Sequence, residues 1–373
     1  MPYQVYLLTH SSLAVGTLSL LQIVPIVLAG LYGGGLADRF ERRRVQIAGK
    51  TVCAACSLVL AAGAIWLHPS VAFIYVVACV AAAAWAVEQA ARTATIPRLV
   101  PASLLPSAMS LTQMTYQMAA IAGPALAGLV IAGVGLPWAY TIDVATYVPV
   151  VVLLVLLSPQ PPLHDTKVTL GWRAPAEALR YVRNSRLLLA LFSADLIAMV
   201  FGMPTAVFPA LALTVFGYGP AVLGLLYAAP AAGAFVATIL SGWVSGVKSQ
   251  GSAVLWAIAV WGLAIAGFGL AGRSLGVGLP LLAMAGGADL VSTVFRTTIL
   301  QLTIPDYMRG RMSAFHSMVA STGPRLGDLE AGVVAALVSP SFSVVSGGVA
   351  CALGIGLLAA FLPELGKANL IPR

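Results

Sequence analysis

Several charged side chains in the last third of the chain lie inside apolar runs, where a charge is costly and usually serves function. Arg325 and Asp328 are three residues apart, so on a helix they share one face and can pair. Glu330 lies on roughly the opposite face, and Asp289 shares a face of an earlier run with Arg296. A desolvated carboxylate can load and release protons, and a nearby arginine can reset it. We therefore expect proton coupling and substrate contact at Asp289, Arg325, Asp328 and Glu330.

A structural role is the alternative for some of these charges. Arg325 and Asp328 could form a fixed ion pair that holds helices together. Glu88 and Arg92, four residues apart near the end of another run, are interpreted as an anchoring pair. Asp195 is left open between a cavity position and a structural one.

The elements that must position these charges are membrane-spanning helices. The 373-residue chain is 60% hydrophobic and 9% charged, whereas a soluble domain carries roughly 25% charged residues. A bilayer accommodates this composition, because side chains that face lipid need no charge. We therefore predict an all-α, multi-pass membrane protein. Runs near the roughly 20 apolar residues that a span needs occur eleven times, at 15–37, 45–67, 70–91, 106–132, 137–157, 187–213, 219–246, 252–272, 276–300, 312–337 and 341–362.

The basic residues set the predicted orientation. Most of the 20 Lys and Arg residues fall in the gaps on the side that includes the loop at 38–44, and only Arg273 lies in a gap on the other side. Cytoplasmic loops are enriched in Lys and Arg, so the basic side is predicted to be cytoplasmic. The net charge of +8 therefore reflects membrane topology, and no nucleic-acid partner is expected.

One long connection, residues 158–186, divides the chain. It is Pro-rich at first and then turns amphipathic in PAEALRYVRNSR, which predicts a linker followed by a short helix on the cytoplasmic surface. We predict an N-terminal transmembrane bundle over 1–157 and a C-terminal bundle over 187–373. The two halves carry the dipeptides IP, MS and GP in the same order, as expected of duplicated transporter halves.

The segment GGGLADRFERRR, residues 33–44, resembles the loop signature of the major facilitator superfamily, a Gly-x-Leu-Ala-Asp-Arg-x-Gly-Arg-Arg pattern. In that superfamily the loop acts as a conformational latch. Glu41 occupies the pattern's second glycine, so the turn is expected to differ a little. The alternative is a plain basic loop that only sets topology. The residues that the resemblance assigns to the latch loop are Gly34, Asp38, Arg39, Arg42 and Arg43.

A second segment, AAIAGPALAG, is similar to the antiporter motif of exporters in the superfamily. Gly123, Pro124 and Gly128 match that motif, and alanines stand in for two of its glycines. Pro124 removes a helical hydrogen bond and bends the span, while the small residues let another helix approach. The alternative is an ordinary kinked helix that serves packing alone.

Three further segments, together with Thr9–Ser11, resemble the enterobactin-exporter branch of the superfamily. They are IPRLVPASLLPSA at 96–108, QLTIPDYMRGRMSA at 301–314 and STGPRLGDLEAG at 321–332. The resemblance implies export of a catecholate siderophore or a related amphiphile. The alternative within the superfamily is efflux of hydrophobic drugs or macrolides.

The resemblance also implies a fold of two pseudo-symmetric six-helix bundles with both termini in the cytoplasm. Residues 1–14 are too short to cross a bilayer alone and are interpreted as the tail of the first span, so the first helix is expected to be incomplete in this chain. An upstream extension of about 30–45 residues would complete it.

The sequence contains no nucleotide-binding loop, metal-ligand cluster or nucleophile–base set, so neither enzyme activity nor ATP-driven transport is expected, and no cofactor or metal. Cys53 and Cys56 have CxxC spacing but lie in an apolar run, where they are interpreted as small apolar residues. We expect a monomer in the cell inner membrane that drives efflux of a small molecule with protons, by alternating access.

Overall fold

The computed structural model describes residues 1–67, 69–160, 173–247 and 249–368, without the side chains of residues 33–38, 67, 173–174 and 243–245. Within the described residues the protein is helical, and no strand occurs among them. The helices are α1 (Pro2–Thr9), α2 (Ser12–Arg39), α3 (Arg42–Ala62), α4 (Val71–Leu99), α5 (Leu105–Val134), α6 (Leu136–Leu156), α7 (Arg173–Asn184), α8 (Arg186–Phe201), α9 (Phe208–Ala210), α10 (Pro220–Ile239), α11 (Gln250–Leu270), α12 (Leu275–Thr303), α13 (Arg309–Leu337) and α14 (Pro340–Phe361).

The predicted apolar runs all correspond to helices. Ten helical segments of the described residues are long and apolar enough to cross a membrane. Helix α13, with 29 residues, is also long enough to cross, but its charged side chains lower its hydropathy. The run predicted at 219–246 was too long, because α10 ends at Ile239 and a short 3₁₀ segment, Ser241–Gly246, follows.

The run at 187–213 folds as a broken helix. Helix α8 ends at Phe201, and after Pro204 the chain resumes in a 3₁₀ turn, α9 and a π-helical segment, Leu211–Phe216. Proline has no backbone N–H and disfavours the α conformation of the residue before it, which explains the break. The resumed segment begins at Thr205, with backbone N–H groups that the helix itself cannot satisfy.

Two helix pairs join the N-terminal half to the C-terminal half, α2 with α13 and α5 with α10. Inside the first half α3 packs against α4 and α6, and α2 packs against α4. Inside the second half α11 packs against α12 and α14, and α10 packs against α12. Smaller contacts between the halves join α2 to the 3₁₀ turn Thr205–Val207 and α1 to α9. Among the helices of the two main pairs, α13 carries most of the charged side chains predicted to act.

The predicted amphipathic helix after the linker is α7. It buries Ala178 and Val182 and exposes Arg180 and Arg183. Its apolar side packs against α8 and α13 rather than facing lipid. Residues 161–172 of the linker lie outside the described part of the chain.

Candidate functional site

The carboxylate of Asp328 lies where α13 meets both the broken helix and α2. Its Oδ1 atom accepts hydrogen bonds from the Thr205 hydroxyl at 2.5 Å and from the Ala206 backbone N–H at 2.8 Å. Its Oδ2 atom accepts a hydrogen bond from the Ser19 hydroxyl at 2.7 Å. Three donors thus converge on one carboxylate, and charge-assisted hydrogen bonds of this kind are roughly twice as strong as neutral ones.

The helix break prepares this arrangement. Thr205 and Ala206 are the first residues after Pro204, at the positive N-terminal end of the resumed helical segment, where an anionic side chain is stabilised. The hydroxyl of Tyr227 on α10 donates to the Thr205 carbonyl at 3.2 Å and holds the turn from the other side. Ser19 belongs to the N-terminal half, so Asp328 links the two halves of the protein.

Close helix contacts surround this link. Any side chain at Gly16 would bring its Cβ to 2.6 Å from the Asp328 carbonyl oxygen, and one at Gly332 would lie 2.6 Å from the Ser12 carbonyl oxygen. On the other pair, a Cβ at Gly128 would lie 2.6 Å from the Pro220 carbonyl oxygen. All three glycines lie in the halves of their helices that the basic loops mark as external. The two halves of the protein are therefore closed against each other on the side predicted to be external.

The opposite side is open. A cavity of about 510 Å³ lies between α2, α4 and α13, near Pro175 of α7. Its lining residues on α2, α4 and α13 lie from the middle of these helices to the ends that are predicted to be cytoplasmic. With the orientation that the basic loops predict, these contacts and this cavity correspond to an inward-facing conformation. The polar and aromatic side chains that line the cavity are Trp85, Gln89, Thr93, Ser317 and Ser321.

Arg325 lies one helical turn beyond the cavity residue Ser321. One of its guanidinium nitrogens, Nη1, donates to the carbonyl oxygen of Ser321, a residue that lines the cavity. Its Nε atom is buried and has no hydrogen-bond partner among the described residues. A cation that lacks a carboxylate partner one helical turn from a cavity residue is suited to attract an anion.

A second charged cluster lies in the C-terminal half. Nη1 of Arg296 on α12 is 2.5 Å from Oδ1 of Asp195 on α8, and both side chains are less than one-tenth exposed. Nη2 of Arg296 donates to the Thr293 hydroxyl at 2.9 Å and is 3.8 Å from Oδ1 of Asp289. The Asp289 side chain is 37% exposed. Asp195 is therefore the tight partner of Arg296, and Asp289 is a looser second carboxylate.

The loop between α2 and α3 is fixed by its arginines. Nη1 of Arg42 donates to the Ala94 carbonyl oxygen at the end of α4, at 2.7 Å, and Nη1 of Arg43 donates to the Leu157 carbonyl oxygen at the end of α6, at 2.7 Å. Leu157 follows the last residue of α6, so its carbonyl has no N–H partner further along that helix and the Arg43 guanidinium satisfies it. The loop thus ties together the cytoplasmic ends of three helices.

The sequence from residue 4 to residue 373 matches the transmembrane secretion effector family of the major facilitator superfamily. The chain belongs to this family. Its members are membrane transporters and not enzymes.

Relatives and solved structures agree with this assignment. The enterobactin exporter of Citrobacter koseri is 28% identical over 97% of this chain and 86% of that protein. The enterobactin exporter of Salmonella typhimurium is 27% identical over 100% of this chain and 89% of that protein. The structure of the nucleoside transporter NupG superposes with a TM-score of 0.69 at 15% identity, over 98% of this chain and 93% of that one. A bacterial homologue of the iron transporter ferroportin superposes with a TM-score of 0.71 at 14% identity, over 99% and 93%. The transporter has the major facilitator fold.

The structure separates the residues that the sequence grouped on α13. No ion pair joins Arg325 to Asp328, because their side chains bond to Ser321 and to Ser19, Thr205 and Ala206, respectively. The alternative of a fixed pair between them is therefore wrong for this conformation. Glu330 is half-buried and has no partner among the described residues.

Two other expectations need correction. Glu88 pairs with Lys50 of α3, Nζ to Oε2 at 3.3 Å, and not with Arg92, which donates to Gln89 instead. A Cβ at Gly123 would meet nothing within 4 Å, so in this conformation Gly128 makes the close helix contact and Gly123 does not.

Part of the predicted latch loop lies outside the described residues. The surroundings of Gly34 and the side chain of Asp38 lie outside the described part of the structure, and Arg39 is the exposed last residue of α2.

The sequence did not identify Ser19 and Thr205 as partners of Asp328, or Trp85 as a cavity residue. The Gly-Met-Pro interruption before Thr205 was a signal that could have indicated the broken helix.

Proposed function

We propose that this transporter exports an anionic amphiphile, of which a catecholate siderophore is the chemical type, in exchange for protons and by alternating access. The observation that carries the proposal is the position of Asp328. Its carboxylate bridges the two halves on the external side, through Ser19 and Thr205, while the cavity opens on the cytoplasmic side. A titratable group at such a contact can link proton binding to the choice between two conformations.

The hydrogen bonds give this link a direction. An ionised Asp328 accepts from all three donors, and these bonds hold the empty transporter inward-facing. A protonated carboxyl carries a hydrogen where one of the acceptor sites was, so the bridge weakens. The empty, deprotonated transporter is thereby kept from returning outward without substrate, which is what an antiporter needs to avoid a futile cycle.

The cavity supports an anionic, partly aromatic substrate. Trp85 offers a flat apolar surface, and Gln89 and Ser317 offer hydrogen bonds. Arg325, one helical turn from the cavity residue Ser321, supplies a positive charge nearby. A catecholate presents an aromatic ring beside anionic oxygens, which matches these three kinds of contact. The enterobactin exporters at 27–28% identity are consistent with this substrate type.

We also propose that the transporter works as a monomer in the cell inner membrane. Each half contributes one side of the cavity and one side of the external contact, so a single chain holds both parts of an alternating-access device.

Transport in inside-out vesicles tests the proposal. Vesicles with an acidic lumen are supplied with radiolabelled catecholate siderophore, and uptake is normalised to the amount of transporter. The wild type is expected to accumulate it, whereas Asp328→Asn equilibrates it without accumulation. Asp306→Asn is the matched control, because Asp306 is 88% exposed in a cytoplasmic turn.

Two results would contradict the proposal. Full gradient-driven accumulation by Asp328→Asn would rule out its role in coupling. Accumulation of a neutral macrolide without any uptake of the catecholate would replace the proposed substrate type by the drug-efflux alternative.

A further inference from the structure

An apolar groove runs along the membrane-exposed contact of α3 and α4. Its volume is about 650 Å³, and the residues that shape it include Val45, Ala48, Val52, Val80, Ala83 and Val87. Ala48, Val52 and Val80 are exposed. Both helices cross the membrane, so the medium that meets this groove is lipid rather than water. An acyl chain is the component of that medium with the shape and polarity to fill it.

Charged groups lie at the cytoplasmic mouth of the groove. Phe40, Glu41 and Arg44 form this end. Nε of Arg44 is 2.7 Å from one oxygen of Glu41, and Nε of Arg43 is 3.1 Å from the other. Two guanidinium groups share a single carboxylate, so the mouth keeps a net positive charge. The Arg44 side chain is 80% exposed, which leaves its remaining donors open to a ligand.

We propose that this groove is a binding site for an anionic phospholipid of the cytoplasmic leaflet. One acyl chain lies between α3 and α4, and the phosphate binds the Arg44 guanidinium. Guanidinium groups bind phosphate through paired N–H donors. The anionic lipids of the cytoplasmic leaflet attract basic side chains near its surface. The site is distinct from the substrate cavity, which lies between other helices.

The site is connected to the loop between α2 and α3. Glu41 joins Arg44 to Arg43, and Arg43 donates to the Leu157 carbonyl at the end of α6. A phosphate bound to Arg44 competes with Glu41 for the Arg44 guanidinium. Glu41 then pairs more strongly with Arg43. The lipid thereby braces the loop that ties the cytoplasmic helix ends together.

Binding of defined lipids to the purified, full-length transporter tests the proposal. Dioleoylphosphatidylglycerol and dioleoylphosphatidylcholine are titrated separately, and bound lipid is measured by native mass spectrometry. The wild type is expected to prefer the anionic lipid about fivefold, the factor for one arginine near an anionic headgroup. The Arg44→Gln variant should lose this preference. The Ala48→Leu variant, in which the new side chain fills the groove, should bind both lipids more weakly.

Matched controls separate the site from general surface effects. Arg186 is 79% exposed and pairs with Glu364, as Arg44 pairs with Glu41, so Arg186→Gln should keep the lipid preference. Ala55 is exposed on α3 but does not line the groove, so Ala55→Leu should bind both lipids normally. Ala83→Leu fills the groove from the α4 side and replaces Ala48→Leu in the experiment if that variant does not fold.

Three outcomes would overturn the inference. Equal loss of preference in Arg44→Gln and Arg186→Gln would mean that only surface charge attracts the lipid. Unchanged lipid binding in both groove-filling variants would exclude the groove. Displacement of the lipid by inorganic phosphate alone would show that the acyl chain contributes nothing to binding.

Discussion

The hydroxyl of Ser19 donates a 2.7 Å hydrogen bond to Oδ2 of Asp328, although the two residues are 309 positions apart in the chain. Ser19 belongs to the N-terminal half and Asp328 to the C-terminal half, so this bond helps to close the external side. A hydrogen bond to a charged acceptor contributes about 1.5–3 kcal/mol. Its loss should therefore change the balance between inward-facing and outward-facing states.

Ser19→Ala is expected to raise the outward-facing population about tenfold or more. The measurement uses Ser12→Cys in a background whose 4 native cysteines are replaced. Ser12 is 6% exposed at the external contact, so its labelling by a membrane-impermeant thiol reagent reports external opening. The control is Thr17→Ala, because Thr17 bonds only within its own helix. Equal labelling rates in both variants would show that Ser19 does not hold the contact.

Gly128→Val should impair transport far more than Gly123→Val. A valine at 128 would clash with the backbone of α10, whereas the surroundings of residue 123 are open. Overpacking of this kind costs about 1–3 kcal/mol, which reduces the closed state about 5- to 150-fold. Efflux rates at matched expression provide the measurement. The reverse order of severity would show that the sequence motif, and not the observed contact, identifies the functional glycine.

Asp195→Leu should destabilise the protein by about 3–5 kcal/mol, because it leaves the Arg296 guanidinium buried without its tight partner. The double variant Asp195→Leu, Arg296→Leu should recover most of this loss. Asp289→Asn should be milder, since Asp289 is partly exposed and 3.8 Å from Arg296. Thermal unfolding of the purified variants in detergent checks the order. A double variant as unstable as the single one would mean that the pair is not a unit.

Arg325→Gln should raise the KM for a catecholate about tenfold or more, because one charge-assisted contact to the substrate is lost. The KM for an O-methylated, uncharged analogue should not change, since that analogue carries no charge for Arg325 to bind. Arg325→Lys should restore part of the affinity. If both substrates lose affinity equally, Arg325 shapes the cavity and does not recognise charge.

Asp38→Asn is expected to leave membrane insertion intact and to reduce transport severely. This prediction rests on the latch pattern in the sequence, in which the aspartate makes a charge contact in only one conformational state. Efflux is measured at matched protein level, with Asp306→Asn as an exposed control. Normal efflux by a well-expressed Asp38→Asn protein would mean that the loop only sets topology.

The sequence by itself determined the number and approximate limits of the long helices, the predicted orientation and the superfamily. These features depend on local properties, because a bilayer requires apolar runs of a certain length and distributes basic residues by side. The same local reasoning placed Arg325 and Asp328 on one helical face. It also found the segment with Gly128, although it could not say which glycine of that segment touches another helix.

Only the tertiary structure decided which side chains meet. Helical periodicity shows which residues of one helix share a face, but it does not show which face of another helix lies opposite. For this reason Asp328 bonds to Ser19 and Thr205 rather than to Arg325, and Arg296 takes Asp195 as its tight partner. A buried charge is stabilised by the nearest well-oriented partner in space. In a bundle of long helices that partner lies on another helix, hundreds of residues away in the chain for Asp328 and about a hundred for Arg296.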